Sequence, residues 1–399
     1  MKRILFVDDE PNVLEGLRRM LRPRRAQWEM TFVSSGAEAL AELDKTPFDV
    51  IVSDMRMPQM DGAALLARVQ ERHPGVVRLV LSGQTELQAA MLAVPVAHQF
   101  LTKPCDAVAL EETVERSVAL QELLADETLL TAVGTTKALP SLPATYAALT
   151  KALGDPDVGL EEVTRIVEKD VAMCAKVLHI ASSGFFGRPR RIGSVPAAVG
   201  ALGTRMLRDL VLTVEVFRSF GAAATVRGLS LEAVQAHALL SAGIARRILP
   251  DKTAAELAFM AAVLHDIGIL VLATHLPGQL AQLLEAARHE HRPLHAVEAE
   301  QGVVTHAEIG AYLLGLWGMP FPIIEAVAHH HTPARVNQSQ FGVLGATHVA
   351  HVLAHEVAGH AGEPAQEIDV AYLEGLGVAD RLPAWRELAA EQAETLAAA

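Results

Sequence analysis

Residues 4–11 read ILFVDDEP. Four apolar residues that stop at Asp8, Asp9 and Glu10 make a buried strand with a polar end. The run is too short for the apolar core of a signal peptide, despite Lys2 and Arg3 before it. The same unit recurs downstream: MTFV (30–33), DVIVS (49–53), VVRLVLS (76–82) and QFLT (99–102) are each followed by an amphipathic segment. These segments are PNVLEGLRRML, GAEALAELDK, GAALLARVQERH, TELQAAML and a long helix from Asp106. Strand-helix alternation at this spacing predicts a doubly wound, five-stranded parallel α/β sheet covered on both faces.

In such a sheet the ligand crevice lies beyond the carboxyl ends of the strands. Asp8 and Asp9 end the first run, Asp54 ends the third, Ser82 ends the fourth and Lys103 follows the fifth. Acidic strand ends can simply solubilise loops. Five polar residues gathered from four strand ends point instead to a built site. Three converging carboxylates need a cation, and an all-oxygen set suits Mg²⁺, while an opposed lysine can hold a phosphoryl oxygen. The chemistry expected is a carboxylate nucleophile accepting phosphate.

The ordered set FVDDEP (6–11), SDMRMPQMDG (53–62), LSG (81–83) and FLTKP (100–104) resembles the receiver domain of two-component response regulators. The resemblance implies that Asp54 is phosphorylated by a histidine kinase, and that Asp8, Asp9, Asp54 and the Arg56 carbonyl hold Mg²⁺. It also makes Ser82 and Phe100 the switch pair and Lys103 the phosphate contact. Residues 1–120 are assigned to this domain.

The apolar spacing of Leu110, Val114 and Val118 continues through Leu120, Leu123 and Leu124, so one helix is expected from Asp106 to Val133. Its length suits a rod carrying motion between domains or a seam for a homodimer. Residues 121–138 are read as linker helix and boundary, closed by Gly134 to Pro143.

From residue 139 the apolar spacing is three and four throughout, which predicts an all-α domain over 139–385 and a tail over 386–399. The stretch ELAFMAAVLHDIGILVLATHL (256–276) is long enough to span a bilayer. An Asp at the bilayer centre costs about 2.5–3.5 kcal/mol, and Glu256, His265 and Asp266 would all be immersed, so a buried core helix is expected.

Of the chain's 17 histidines, 14 lie between His237 and His360. The doublet His265-Asp266 interrupts an apolar run, where an unpaired charge is expensive to bury. His237, His306, His330, His331 and His351 recur on helical patterns, and imidazoles plus a carboxylate from separate helices suit Zn, Mn or Fe. Such an ion could activate water against a phosphate ester. The plain alternative is a scatter of core and surface histidines, with His348, His351 and His355 forming a wet helix face.

PSLPATYAALTKAL (140–153), IVEKDVAMCAKVLHIASSGFFG (166–187), AAVGALG (197–203), LHDIG (264–268), HAEIGAYLLGLWGMPFPIIEAVAHHH (306–331) and VAHVLA (349–354) resemble, in that order, the HDOD domain. That family is related to metal-dependent HD phosphohydrolases, including HD-GYP cyclic-dinucleotide phosphodiesterases, yet most members act as signalling or scaffolding modules. His237, His265, Asp266, His306, His330 and His331 fall where the enzymes have ligands. Ile269 stands where those enzymes carry a lysine, no Gly-Tyr-Pro follows the triple histidine, and His351 takes the place of the final aspartate.

The net charge of -13 argues against a nucleic-acid partner, and the two cysteines, Cys105 and Cys174, exclude a disulfide framework, so a cytoplasmic chain with no membrane role is expected. The expected function is a response regulator whose output domain binds a protein or nucleotide partner. The alternative is a metal-dependent phosphohydrolase under receiver control.

Overall fold

The computed structural model describes residues 1–82, 93, 96–103, 107–123, 127–136, 143–155, 158–182, 192–213, 226–358 and 366–397. The expected segment TELQAAML, most of the turn FFGRPRRIG and Cys105 lie outside them.

The N-terminal domain is a five-stranded parallel sheet in the order β2-β1-β3-β4-β5. The strands are β1 (Lys2–Val7), β2 (Trp28–Val33), β3 (Val50–Asp54), β4 (Val77–Ser82) and β5 (Gln99–Thr102). Ile4, Leu5, Phe6, Val50, Ile51, Val52, Leu79 and Val80 are fully buried, as central strands covered on both faces require. Helices α1 (Pro11–Met20), α2 (Gly36–Lys45) and α3 (Gly62–Arg72) begin at the strand ends. Ser35 and Asp61 cap α2 and α3 by accepting from the backbone N–H of Glu38 and Ala64. Gly62 lets α3 close on the end of β3, because a Cβ there would stand 2.2 Å from the Asp54 carbonyl oxygen.

Within the helix expected from Asp106 to Val133 the structure describes α4 (Ala107–Leu123) and α5 (Glu127–Thr135), while Asp106 and residues 124–126 lie outside the described residues. Leu129 and Val133 are buried, α5 packs on α3, and the Gly134 carbonyl accepts from Arg78 Nη2 at 2.7 Å and Gln70 Nε2 at 3.2 Å.

The rest of the chain is helical among the described residues. Its helices are α6 (Pro143–Gly154), α7 (Leu160–Val167), α8 (Val171–Ser182), α9 (Val195–Thr213), α10 (Leu231–Ile248), α11 (Lys252–Leu264) and α12 (Ile267–His275). There follow α13 (Pro277–Glu290), α14 (Leu294–Glu300), α15 (His306–Leu316), α16 (Phe321–His329), α17 (Val343–Ala358), α18 (Val370–Gly375) and α19 (Leu382–Ala397). Helices α10, α11, α15, α16 and α17 pack around one core. The run 252–275 is long and apolar enough to cross a membrane, and 83% of its apolar window is buried inside the protein.

Two further expectations change. The stretch from 386 is not a free tail, because α19 buries Trp385 and Ala389 against α10 and α17. The doublet His265-Asp266 sits between α11 and α12 rather than inside one helix, with Asp266 at φ −98° and ψ 14°. That break turns both side chains toward one point.

The two domains share a seam at the amino-terminal end of β4 and β5. Gln99 Nε2 donates to the Leu316 carbonyl at 2.9 Å, and His179 Nε2 lies 2.9 Å from the His98 carbonyl. His179 also stacks on Trp317, with ring centroids 4.7 Å apart. Helices α4 and α5 pack against α15, and α5 also packs against α12.

Candidate functional site

Two clusters carry chemistry. In the sheet domain, Asp8 and Asp54 are buried at adjacent strand ends, with Asp9 half-buried beside them. Lys103 Nζ donates to Asp8 Oδ2 at 2.7 Å and pairs with Asp54 Oδ1, while the Arg56 N–H donates to Asp54 Oδ2 at 3.0 Å. Burial raises the Asp54 pKa above the usual carboxylate range, although Lys103 opposes the shift. Ser82 is buried at the end of β4 and Phe100 within β5, opposite Val80, and the Lys103 N–H donates to the Ser82 carbonyl at 2.8 Å.

In the helical domain, the imidazoles of His265, His306, His330 and His331 converge on Asp266. Each ring uses Nδ1 to hold an oxygen acceptor: Ala262 O at 2.6 Å, Glu298 Oε2 at 2.8 Å, Val327 O at 2.8 Å and Gln366 Oε1 at 2.7 Å. A neutral imidazole that donates from Nδ1 carries its lone pair on Nε2. These Nε2 atoms face inward: His265 lies 3.0 Å from Asp266 Oδ2, while His306 and His330 lie 3.4 and 3.8 Å from Oδ1. His331 Nε2 stands 3.0 Å from His306 Nε2, and His351 Nδ1 stands 2.9 Å from His265 Nε2 and 3.0 Å from His237 Nε2.

Lone pairs meeting lone pairs at 3 Å repel unless a proton or a metal cation lies between them. One solution is visible in the electrostatics: burial disfavours the charge on His306, but Glu298 and Asp266 outweigh it and raise its pKa to about 10. Burial would raise the Asp266 pKa as well, yet His265 and His306 hold it well below the carboxylate range. His330, His331 and His351 are driven well below 6.5, first by burial and then by neighbouring rings, which keeps them neutral. His330 Nε2 makes no hydrogen bond among the described residues. The donor atoms form two groups, each within 4.8 Å: His237, His265, Asp266 and His351, then Asp266, His306, His330 and His331. Asp266 belongs to both.

The comparisons with known proteins divide the chain in the same way. Residues 4–115 match the response regulator receiver domain, and residues 139–333 match the HDOD domain. The chain joins a response regulator receiver domain to an HDOD domain. An uncharacterised protein of Treponema pallidum is 27% identical over 193 residues, 48% of this chain and 37% of that protein. The hydrogenase transcriptional regulatory protein HoxA of Cupriavidus necator is 38% identical over 125 residues, 31% of this chain and 25% of that protein. The chain thus spans well under two thirds of either relative. A solved virulence factor from Campylobacter jejuni is 19% identical, with a TM-score of 0.53 over 67% of this chain and all of that one. The MmoQ response regulator of Methylococcus capsulatus is 24% identical, with a TM-score of 0.48, covering 62% of this chain and 98% of that one.

The HDOD cluster opens on a cavity of about 390 Å³. Ile269, in the place of the lysine of related enzymes, lines it together with Leu284, Arg288, Arg292, Leu294 and His295. His295 stacks on His331 with ring centroids 3.9 Å apart, and its Nδ1 makes no hydrogen bond among the described residues.

Every expected histidine of the HDOD set is at the cluster. His348 and His351, which the plain alternative put on a wet helix face, are both buried. His348 Nδ1 holds the His330 carbonyl at 2.7 Å and its Nε2 accepts from the Asp369 N–H at 3.0 Å, which makes it a support. Three participants were missed. Glu298 is fully buried under His306, Gln366 Oε1 holds His331 at 2.7 Å and His351 at 2.9 Å, and His295 lines the cavity. Only His295 carried a signal, as one of the many histidines.

Proposed function

We propose that this chain is a cytoplasmic response regulator phosphorylated on Asp54 by a histidine kinase, with Mg²⁺ held by Asp8, Asp9, Asp54 and the Arg56 carbonyl. Its HDOD domain is a divalent-metal site that receives a small phosphate-bearing ligand or a partner's phosphate group. The observation that carries the reading is the outward use of Nδ1 by four converging imidazoles, which leaves Nε2 lone pairs around a shared carboxylate. Ligating histidines are held in this way, by a second hydrogen bond from the ring nitrogen that does not touch the ion. His237, His265 and His351 would serve one ion and His306, His330 and His331 another, with Asp266 offered to both. A bound ion supplies positive charge for a phosphate oxygen. Arg288 at the cavity wall adds charge of the same sign, whereas Arg292 beside it is paired with Glu290 and Glu300.

The test is metal content of protein purified without chelators. Near-stoichiometric Zn, Mn or Fe is expected in the wild type and loss of it in Asp266→Ala. A folded, metal-free wild-type protein that still signals would sink the reading.

The second reading, a phosphohydrolase, rests on His295, a neutral ring facing the cavity beside His331. It requires turnover of phosphomonoesters that disappears in Asp266→Ala. Cyclic dinucleotides are expected to survive, because Ile269 offers no charge where the related enzymes have a lysine.

A further inference from the structure

Helix α12 runs from the HDOD cluster to the linker helix α5, and helix α15 runs from the cluster to the receiver strand β5. Asp266 stands at the N-cap position of α12 without a side-chain capping bond, and at the other end of the helix His275 Nε2 lies 3.0 Å from Thr136 Oγ1, just past α5. His306 is the first residue of α15, whose last carbonyl, Leu316, accepts from Gln99 of β5 at 2.9 Å. Beyond it, Trp317 stacks on His179, and Gly318, at φ 72°, leaves room for the Gln99 side chain. At 1.5 Å per residue these helices span roughly 14 and 16 Å.

The two helices are locked together at the cluster end. A Cβ on Gly268 would stand 1.9 Å from the His306 carbonyl oxygen, and one on Gly310 would stand 2.9 Å from Ile267 Cγ2. Nothing soft separates the backbone carrying Asp266 from the backbone carrying His306. A displacement at either far end therefore reaches their ligand atoms without being absorbed by a flexible side chain.

The receiver end is equally direct. Strand β5 begins at Gln99, which holds α15, and runs through Phe100 to Lys103, which pairs with both Asp8 and Asp54. A phosphoryl group on Asp54 claims Lys103 and thereby acts on the strand that Gln99 anchors to α15.

We infer that phosphorylation at Asp54 and metal occupancy at the Asp266 cluster are thermodynamically linked through β5, α15 and α12, with Gln99 and His275 as the positioning residues at the domain seam. This regulation rests on the metal reading above. Linkage is reciprocal: whatever factor phosphorylation applies to metal affinity, the metal applies to the phosphorylated-like state.

The test uses the full chain, Co²⁺ as probe and beryllofluoride with excess Mg²⁺ as phosphoryl mimic. Co²⁺ bound by imidazoles has a visible absorption that the all-oxygen receiver site does not share, and Asp266→Ala supplies the blank. The Co²⁺ dissociation constant should change at least about fivefold with beryllofluoride, and Gln99→Ala and His275→Ala should each pull that factor toward one. Hydrogen exchange over residues 267–275 and 306–316 is followed in parallel. Equal Co²⁺ affinity in the two receiver states would overturn the linkage. Absence of any Co²⁺ binding would overturn the metal reading, and exchange rates in the two helices would then decide the path separately: altered rates keep it, unchanged rates remove it.

Discussion

The receiver crevice and the HDOD cluster are both gatherings of acidic and basic groups, and they neutralise themselves in opposite ways. In the receiver the carboxylates of Asp8 and Asp54 are answered by a cation of the chain itself, Lys103, bonded to both. In the HDOD domain Asp266 is surrounded by rings whose protons are committed outward, so the charge inside must be supplied by a proton on His306 or by an ion. In the function proposed, the first site exchanges its own counter-charge for a phosphoryl group and Mg²⁺, and the second, lined with lone pairs, retains a cation.

Removing the nucleophile breaks the receiver half of the comparison most completely. Acetyl phosphate with Mg²⁺ should add a phosphoryl mass to the wild type and none to Asp54→Ala, while metal content in the HDOD domain stays unchanged in that variant. An equal mass shift in both proteins would refute the assignment of Asp54.

A smaller effect is expected from Gly268→Ala. Its methyl meets the His306 backbone, so α12 and α15 must part, at a cost of about 3 kcal/mol in thermal or denaturant unfolding together with weakened metal retention. Unchanged stability would mean that the helices are not locked at the cluster.

The smallest effect lies at the seam between the regions. Burial pushes the Lys176 ammonium down to about 7, while His98, His179 and Arg78 crowd the same place from α8, β4 and β5, and the Trp317 ring faces Lys176 at 5.7 Å. A base whose folded pKa lies below its unfolded value binds more protons unfolded, so stability should rise as pH climbs from about 7 toward the unfolded lysine value near 10.4, by about 1 kcal/mol per unit. Melting curves between pH 6.5 and about 9 would show that slope, and Lys176→Met should flatten it. An identical slope in the variant would assign the effect elsewhere.

The α/β half was legible because strand ends and ligand positions coincide in a parallel sheet: once ILFVDD and DVIVSD are read as strands, Asp8 and Asp54 must meet. In the helical half the residues that cluster around Asp266 were legible as residue types in order, but their supports were not. Glu298 lies in an ordinary polar segment, EAEQG, and nothing in its spacing marks it as fully buried beneath His306. Gln366 reaches the cluster across a long separation in sequence. Arg78, inside the apolar run VVRLVLS, is a buried guanidinium in a central strand, which needs several acceptors and finds them at the Val96, Pro74, Val76 and Gly134 carbonyls, within the receiver and the linker helix.

The break between α11 and α12 also matters before the chain is folded. As 252–275 leaves the ribosome it is an apolar stretch of a length that insertion machinery accepts. His265 and Asp266 lie near its middle, where an aspartate adds about 2.5–3.5 kcal/mol to the free energy of entering a bilayer. The doublet thus weighs against bilayer entry by the nascent chain, beside the ligand role proposed for it. Asp266→Asn, which keeps a polar group at that point, separates the two roles where Asp266→Ala merges them.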